Sequence, residues 1–235
     1  MKKTLISILI TAILLTACSS LPKANSSASN NQAASNQPPA AANTQPAPSL
    51  SPDEVYQAVA AAWTKLESAG PRHISQTMYK GGNAVSNTEA DSVPPNFHQV
   101  SSVAGTVMAE QYVFGGTIYN KLNGVWTQTP GASTAISALS GLSQALDANI
   151  VRSVGKASGI EVVNGSPAII YNYSTTLKGL TTSTQYTLWV DQTSGLPVKQ
   201  ETLNSEGIKI IQTITYDSSI TLTLPAEAKN AATIK

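Results

Sequence analysis

The fold is decided by the stretch Tyr186-Thr-Leu-Trp-Val-Asp-Gln-Thr-Ser-Gly-Leu-Pro-Val-Lys-Gln-Glu201. Tyr186, Leu188 and Val190 recur at every second position, which is the pattern of a strand with one covered face. A turn over residues 192–195 follows, so we expect strands over Gln185–Asp191 and Val198–Asn204. The turn has some character of a calcium-binding loop, but it lacks the further acidic ligands of such a loop and is interpreted as a turn.

Outward from this stretch, most of the chain after residue 71 predicts short antiparallel strands. Turn signals such as Gly81-Gly82-Asn83 and Asn123-Gly124 separate the strand-like segments. The predicted strands are Arg72–Lys80, Ala84–Val93, Asn96–Val103, Thr106–Phe114, Thr117–Leu122, Val125–Thr129, Gly159–Val163, Ala168–Thr176 and Ile208–Tyr216. A last alternating strand is predicted through Ile220, Leu222 and Leu224, and the small, polar tail from Ala226 onward is expected to be poorly ordered.

Two helices are predicted among these strands. Ser51-Pro52-Asp53-Glu54 has the form of a capping box with proline at the first helical position, and Gly70-Pro71 ends the helix. The second helix begins at Ser133 or Thr134 and carries one apolar stripe. That stripe consists of Ile136, Leu139, Leu142, Leu146 and Ile150. This helix either lies over a groove as a lid or is a packed crossover.

The N-terminus has the layout of a secretory signal. Lys2 and Lys3 precede an uncharged apolar run, Leu5–Leu15, which is shorter than the about 20 residues that span a bilayer. Leu15-Thr16-Ala17-Cys18 resembles the bacterial lipobox. That resemblance implies that residues 1–17 are removed, and that Cys18 becomes the first residue and is lipidated with two or three acyl chains, palmitate among them. The alternative is an ordinary secretory signal with an incidental cysteine.

A tether separates this anchor from a single domain. Residues 18–50 are rich in Ser, Asn, Gln, Ala and Pro, with Lys23 as the only charge, so they cannot bury enough surface to order themselves. As a flexible coil they span roughly 30 Å. Residues 51–235 form the domain. Cys18 is the only cysteine, so no internal disulfide is possible.

The charge balance excludes nucleic-acid binding. The chain has 14 Lys and Arg against 13 Asp and Glu, and loss of Lys2 and Lys3 with the signal leaves 12 against 13, a net charge of −1. A protein that neutralises phosphates needs a basic footprint, which this chain lacks.

The quoted stretch also resembles a strand–turn–strand of bacterial LolA-like proteins. That superfamily includes lipoprotein carriers and their receptors, the mycobacterial LppX/LprG lipoproteins, and sensor domains of sigma-factor regulators. The matching positions are Trp189, Asp191, Gly195, Leu196, Pro197 and Lys199. The order of elements is similar over Ser51–Pro225. The resemblance implies an α+β fold in which a strongly curved antiparallel sheet, an open half-barrel, has helices packed on its concave face.

In carriers of that superfamily an apolar cavity between sheet and helices receives acyl chains. We predict that the corresponding cavity is lined by Trp63, Met78, Val107, Leu139, Leu142, Ile170, Leu188 and Ile210. A sheet bent around two apolar helices either leaves such a gap or fills its interior with side chains, and each of these residues has an alternative role in an ordinary core.

Catalytic and metal sites are not indicated. His73 and His98 are the only histidines, and neither has a metal-ligand neighbour at helical or strand spacing. Neither a Gly-x-Ser-x-Gly elbow nor a phosphate loop is present. Glu89 and Asp91 share a strand face as a carboxylate pair would, but their polar neighbours favour a solvated edge. We therefore expect no enzyme activity, no cofactor and no metal.

The predicted function is binding or transfer of an acyl-chain ligand, a lipid or a lipoprotein, without chemistry. The protein is expected in the cell envelope, on the extracytoplasmic (periplasmic) side of a membrane that holds Cys18, and as a monomer. Ser19 follows the cysteine where enterobacterial inner-membrane lipoproteins have aspartate, which favours an outer membrane if the host has one. The alternatives are an envelope sensor or protein-interaction module on the same scaffold with no lipid ligand, and an accessory envelope protein with no soluble ligand.

Replacement of Cys18 tests the anchor. The wild-type chain is expected to incorporate palmitate and to pellet with membranes, whereas Cys18→Ser removes the acceptor thiol and is expected to release the protein. Metabolic labelling and membrane fractionation measure both properties. A wild type without palmitate, together with a variant that still pellets, would contradict the lipoprotein prediction.

Overall fold

A computed structural model of the protein describes residues 46–130 and 150–233, which form one sheet with helices against it. The helices are α1 (Pro52–Glu67) and α2 (Ala226–Lys229). The strands are β1 (Arg72–Lys80), β2 (Asn83–Val93), β3 (Asn96–Val103), β4 (Thr106–Phe114), β5 (Thr117–Leu122), β6 (Val125–Pro130), β7 (Ile150–Val163), β8 (Ser166–Leu177), β9 (Ser183–Asp191), β10 (Pro197–Leu203), β11 (Ile208–Tyr216) and β12 (Ala232–Thr233).

The sheet has 12 strands in the order β12-β6-β5-β4-β3-β2-β1-β11-β10-β9-β8-β7. Neighbouring strands are antiparallel except β12, which pairs in parallel with β6. β1 lies beside β11, so the two runs of hairpins join at the centre of the sheet. In the described part of the chain the sheet is not closed, since β7 and β12 are its edges. The predicted open, antiparallel sheet with associated helices is confirmed.

The alternation of chain direction gives the sheet two ends. The turns β1/β2, β3/β4, β5/β6, β8/β9 and β10/β11 lie at one end, which we call the upper end. The turns β2/β3, β4/β5, β7/β8 and β9/β10 lie at the other, the lower end.

Helix α1 begins as the sequence predicts. The Ser51 hydroxyl accepts a hydrogen bond from the Glu54 backbone N–H at 3.4 Å, and the Glu54 carboxylate accepts one from the Ser51 backbone N–H at 2.7 Å. This capping box satisfies backbone donors that a helix start leaves free. The helix packs against β7, β8 and β10. Its buried side consists of Val55, Tyr56, Val59, Ala62, Trp63 and Leu66.

The main core lies between α1 and one face of the sheet, which we call the α1 face. It includes Ile74, Ala90, Phe97, Val113, Tyr171, Tyr173, Leu188, Val190 and Ile214. Because side chains alternate along a strand, the intervening residues lie on the far face. Two smaller clusters lie there, one around Trp126 and one around Trp189.

Side-chain hydrogen bonds hold both ends of α1 against the sheet. The Tyr56 hydroxyl lies 2.7 Å from the Val154 carbonyl oxygen on β7 and 2.5 Å from that of Ser174 on β8. At the other end, the buried guanidinium of Arg72 donates to the carbonyl oxygens of Leu66, Ala69 and Gly70. At the Leu66 carbonyl the guanidinium adds to the hydrogen bond that the Ala69 backbone N–H already donates at the end of the helix.

The C-terminal segment differs from the prediction. Residues 220–224 form no strand, because only Leu224 of the alternating residues is buried, against Tyr112 and Trp126. The tail is ordered into α2 and β12, and Ala228 and Ala231 pack in the same cluster. The small side chains that suggested disorder are what permits this close packing against Trp126.

The segment after residue 130 also differs. The second predicted helix over 133–149 lies outside the described residues, but its last apolar residue, Ile150, begins β7. The strand therefore starts nine residues before the predicted Gly159–Val163 segment. Register shifts between Arg152 and Val154 and between Ala157 and Gly159 break its period-two pattern, which hides it from the sequence.

Gly155→Ala tests the seat of α1 on β7. A Cβ atom at residue 155 would lie 2.7 Å from the Pro52 carbonyl oxygen, so the first turn of α1 would have to move away. We expect the free energy of unfolding to fall by about 1–3 kcal/mol, measured by urea denaturation. Gly70→Ala is the control, since nothing lies within 4 Å of its added Cβ. Equal effects of the two substitutions would show that this contact does not hold α1.

Candidate functional site

The α1 face holds four of the predicted lining residues. Trp63 and Leu188 are buried within the main core. Met78 on β1 and Ile210 on β11 are register partners, lie nearer the upper end and are partly buried. The main core does not extend to this pair, so the pair forms a second apolar position on the same face.

The other predicted lining residues are not brought to this position. Val107 is 60 % exposed beside the β3/β4 turn. Ile170 packs on the far face with the cluster of Val163, Ala168, Trp189 and Val198. Leu139, Leu142 and the lipidation residue Cys18 lie outside the described residues. The lining set as a whole stays a prediction.

On β1, β11 and β10, a row of amide side chains lies between the pair Met78–Ile210 and the pair Ile74–Ile214 of the main core. Gln76, Gln212 and Gln200 are cross-strand partners on β1, β11 and β10, one step below Met78 and Ile210. Gln212 is 8 % exposed and Gln200 is 6 % exposed, which is unusual for side chains that carry two donors and two acceptor sites. The Gln200 amide donates to the Thr202 hydroxyl at 3.3 Å. The α1 face therefore offers hydrogen-bonding groups between two apolar regions.

The centre of the far face carries an ionic network built on His73. Its Nδ1 lies 2.7 Å from an Asp91 carboxylate oxygen, and its Nε2 lies 3.0 Å from Glu89. Ser75 donates to Glu89 at 2.9 Å. The hydrogen bond to Asp91, with Glu89 acting in the same sense, raises the pKa of His73 above its ordinary value, although partial burial opposes this.

One extra residue in β2 creates this network. Lys80 pairs with Asn83 across a two-residue turn, and that register continued would place His73 opposite Ala90. A register shift beside Tyr79 places His73 opposite Asp91 instead, and brings Glu89 to the same face. Sequence reasoning found the shared face of the two carboxylates but missed their histidine, because a bulge leaves no signal in residue type.

A second group of ionic contacts lies on the same face, on β3, β4 and β5. His98 lies 3.2 Å from Glu110, whose other oxygen is 3.4 Å from the Lys121 ammonium. The His98 ring stacks on Tyr112 with 4.1 Å between centroids. Lys121 also lies over the Trp126 ring at 5.3 Å. A cavity of about 280 Å³ opens here, lined by Glu110, Lys121, Gly124, Trp126, Pro225 and Glu227. Its lining mixes one cation with two carboxylates and selects no single charge.

The motif residues of the quoted stretch have structural contacts. The Trp189 indole donates to Glu161 at 2.8 Å and lies under the Lys199 ammonium at 4.0 Å. Glu201 bridges Lys199 and Lys209 at 3.1 and 2.8 Å. All these side chains lie on the far face, so Trp189 does not line the α1 face.

Asp191 closes the turn that the sequence predicts. One of its carboxylate oxygens accepts hydrogen bonds from the backbone N–H groups of Thr193 and Ser194, at 3.1 and 2.7 Å, and from the Ser194 hydroxyl. Burial acts to raise the pKa of Asp191, but the bonds from Ser194 and Thr193 outweigh it and lower the pKa. The Asp191 carboxylate therefore accepts hydrogen bonds from its own turn, which is the usual role of an aspartate in a turn.

Within residues 46–130 and 150–233, no three His, Cys, Asp or Glu side chains are placed to hold a metal ion. Neither helix described here has the length and apolar character needed to cross a bilayer.

Comparison with solved structures identifies the architecture. The lipoprotein LppX of Mycobacterium tuberculosis aligns over 74 % of this chain and 100 % of its own, with a TM-score of 0.55 and 15 % identity. This chain has the fold of LppX. LprF of Mycobacterium bovis aligns over 77 % of this chain and 99 % of its own, with a TM-score of 0.50 and 16 % identity. The predicted resemblance to the group that includes LppX is thus confirmed at the level of fold. No protein-family model and no curated protein matches the sequence.

The His73 network predicts a pH dependence of stability. Because the folded-state pKa of His73 is raised, its stabilisation is fully present below the ordinary value of about 6.5 and is lost as the pH rises through the folded pKa. His73→Gln should therefore lower the free energy of unfolding more at pH 6 than at pH 9, by at most about 1 kcal/mol for this half-exposed group.

Urea denaturation at both pH values measures this difference, and NMR titration of the His73 ring measures its pKa. Asp91→Asn removes the largest cause of the shift and should lower the midpoint of the titration. A wild-type midpoint at or below about 6.5 would contradict the proposed charge state.

Proposed function

We propose that the protein is a lipid-anchored, extracytoplasmic component of the cell envelope that binds an acyl-chain ligand on the α1 face, without catalysis. The ligand is a lipid or a lipoprotein. The observation that carries the proposal is the apolar pair Met78–Ile210, which lies on the same face as the α1 core but outside it. Side chains there are available to a ligand in a way that Trp63 and Leu188 are not.

The fold supports this assignment. The chain has the fold of LppX. In the proposal, its sheet curves strongly around α1, so that the concave face covers a bound acyl chain on more than one side. An alkyl chain would extend from the Met78–Ile210 pair along the strands. Each buried CH₂ group contributes about 0.8 kcal/mol, so a long chain gives tight binding without any specific polar contact.

The glutamine row adds selectivity. Gln76, Gln200 and Gln212 lie between the two apolar regions, and buried amides cost free energy unless they are hydrogen-bonded. A ligand that carries an ester, amide or hydroxyl group beside its alkyl chain would form hydrogen bonds with these amides, which a plain hydrocarbon cannot do. The amide row thus favours an amphipathic acyl lipid over a hydrocarbon.

The N-terminus supplies the location. In the proposal, Cys18 is lipidated with palmitate among its chains, and residues 18–50 keep the domain within roughly 30 Å of the membrane. That distance lets the domain exchange its ligand with the same membrane or a facing one. The retention of the domain by its anchor distinguishes this role from that of a freely diffusing carrier.

Ile210→Trp tests the ligand position. Residues 46–235 are suitable for expression, because Ala47 and Leu50 pack against the main core. We expect the wild-type domain to copurify with lipid in native mass spectrometry and to take up a fluorescent fatty acyl probe in a saturable way. Tryptophan at residue 210 fills the space beside Met78 and should weaken probe binding roughly tenfold or more.

Ile211→Trp is the matched control. Ile211 follows on the same strand but pairs with Thr77 and Glu201 on the far face, so it should leave probe binding unchanged. Equal losses in the two variants would remove the α1 face as the ligand position. An empty, probe-inert wild-type domain would instead favour the sensor or protein-interaction role on the same scaffold.

A further inference from the structure

Exposed apolar side chains concentrate at one end of the sheet. Of the ten large apolar side chains exposed among the described residues, seven lie in or beside turns of the upper end. They are Val103 (40 %), Val107 (60 %), Met108 (45 %), Leu122 (56 %), Val125 (65 %), Leu180 (55 %) and Leu203 (41 %). Val162 is the one beside a turn of the lower end. Such a one-sided distribution marks an interaction surface rather than ordinary scatter.

Five of these residues form the densest part, the β3–β6 tip: Val103, Val107, Met108, Leu122 and Val125. The two hairpins are adjacent, since Ala109 on β4 pairs with Leu122 on β5. A register shift between Ser101 and Ser102 makes Met108 an extra residue, so Val107 and Met108 are both exposed in succession. The tip therefore presents apolar groups on both sides of the hairpin.

The charges around the tip indicate its partner. Residues 101–109 and 122–128 carry no charge at all. The exposed Lys80 lies at the β1/β2 turn next to the tip, whereas the exposed Glu206 and Lys178 lie farther along the same end, at the β10/β11 and β8/β9 turns. An uncharged apolar tip with a lysine at the adjacent turn is what a bilayer interface with anionic headgroups accepts.

The position of α1 agrees with this partner. Pro52 at the start of α1 contacts Gly155 on β7. Gly155 belongs to a cross-strand row that lies towards the upper end. The other members of that row are Tyr173, Tyr186, Thr202, Ile210 and Met78. The start of α1, from which the chain leads back towards Cys18, thus lies at the upper half of the sheet. A tether that spans roughly 30 Å would keep this end near the membrane; this step, unlike the exposed tip itself, rests on the proposed anchor.

We propose that the β3–β6 tip inserts into the interfacial region of a lipid bilayer, with Lys80 at the headgroups. Docking holds the upper end of the sheet, and with it the Met78–Ile210 position, at the membrane surface. A ligand then passes between bilayer and α1 face without crossing water. The tip is a second membrane contact that is separate from Cys18.

Tryptophan reporters test the insertion in the full chain. The natural Trp63, Trp126 and Trp189 are buried, so an added exposed indole is the one that membrane quenchers reach. Met108→Trp places it in the tip, and Val162→Trp places the matched control at the lower end. Each chain is bound to vesicles of phosphatidylcholine and phosphatidylglycerol, with or without brominated acyl chains, and the bound fraction is isolated by flotation.

Brominated lipid should quench roughly half or more of the fluorescence added by the indole at residue 108, because indoles settle at the membrane interface. It should quench little of the fluorescence added by the indole at residue 162. Adding Val107→Asp and Leu122→Asp to Met108→Trp should abolish the quenching. Equal quenching at the two sites, none at residue 108, or no flotation at all would overturn the docking.

Other occupants give different results. If a second copy of the chain covers the tip, emission from residue 108 shifts to the blue with protein concentration in the absence of vesicles, and bromination has no effect. The acyl-probe experiment and palmitate labelling report the proposed ligand and anchor separately. Quenching at residue 108 in a probe-inert protein would therefore leave the docking intact while removing the ligand proposal.

Discussion

The Tyr56 hydroxyl, shared between carbonyl oxygens of β7 and β8, fixes the start of α1 on the sheet, and the Arg72 guanidinium fixes its end. Between these two points α1 supplies the cover that the apolar face of the sheet requires. The helix is 16 residues long, and so cannot reach every part of a face that spans many strands. The apolar pair Met78–Ile210 beyond its core, and hence the proposed ligand position, follows from this difference in extent.

The two faces of the sheet are stabilised by different interactions. The α1 face buries apolar groups and glutamines, whereas the far face holds its centre together by cross-strand ion pairs at His73, His98 and Glu201. Exposed pairs of this kind contribute little stability each. Their main effect is on pairing, because opposite charges on neighbouring strands disfavour a slipped register. The far face thereby keeps in line the strands whose other face must present the α1 core.

Local signals predicted much of this fold, and long-range geometry supplied the rest. The capping box at Ser51 and the turn at Asn123-Gly124 depend on a few adjacent residues, so the sequence indicates them directly. The position of His73 between two carboxylates depends on one bulge in β2, and the pairing of β1 with β11 joins segments more than a hundred residues apart. Alternation alone also predicted a strand over 220–224, where tertiary packing of Leu224 against Trp126 prevails. Ile170 was predicted to line the cavity, but its pairing with Trp189 places it on the far face, and that pairing cannot be read from residue type alone.

Strand β7 is 14 residues long and is an edge of the sheet among the described strands. An unbroken edge of that length is a template on which identical chains stack into fibrils, a hazard that grows when proteins are crowded on a membrane. The two register shifts in β7, with Arg152, Lys156 and Glu161 along it, interrupt the repeat that such stacking needs. With the proposed anchor, a high surface density of copies is thus compatible with each copy remaining separate.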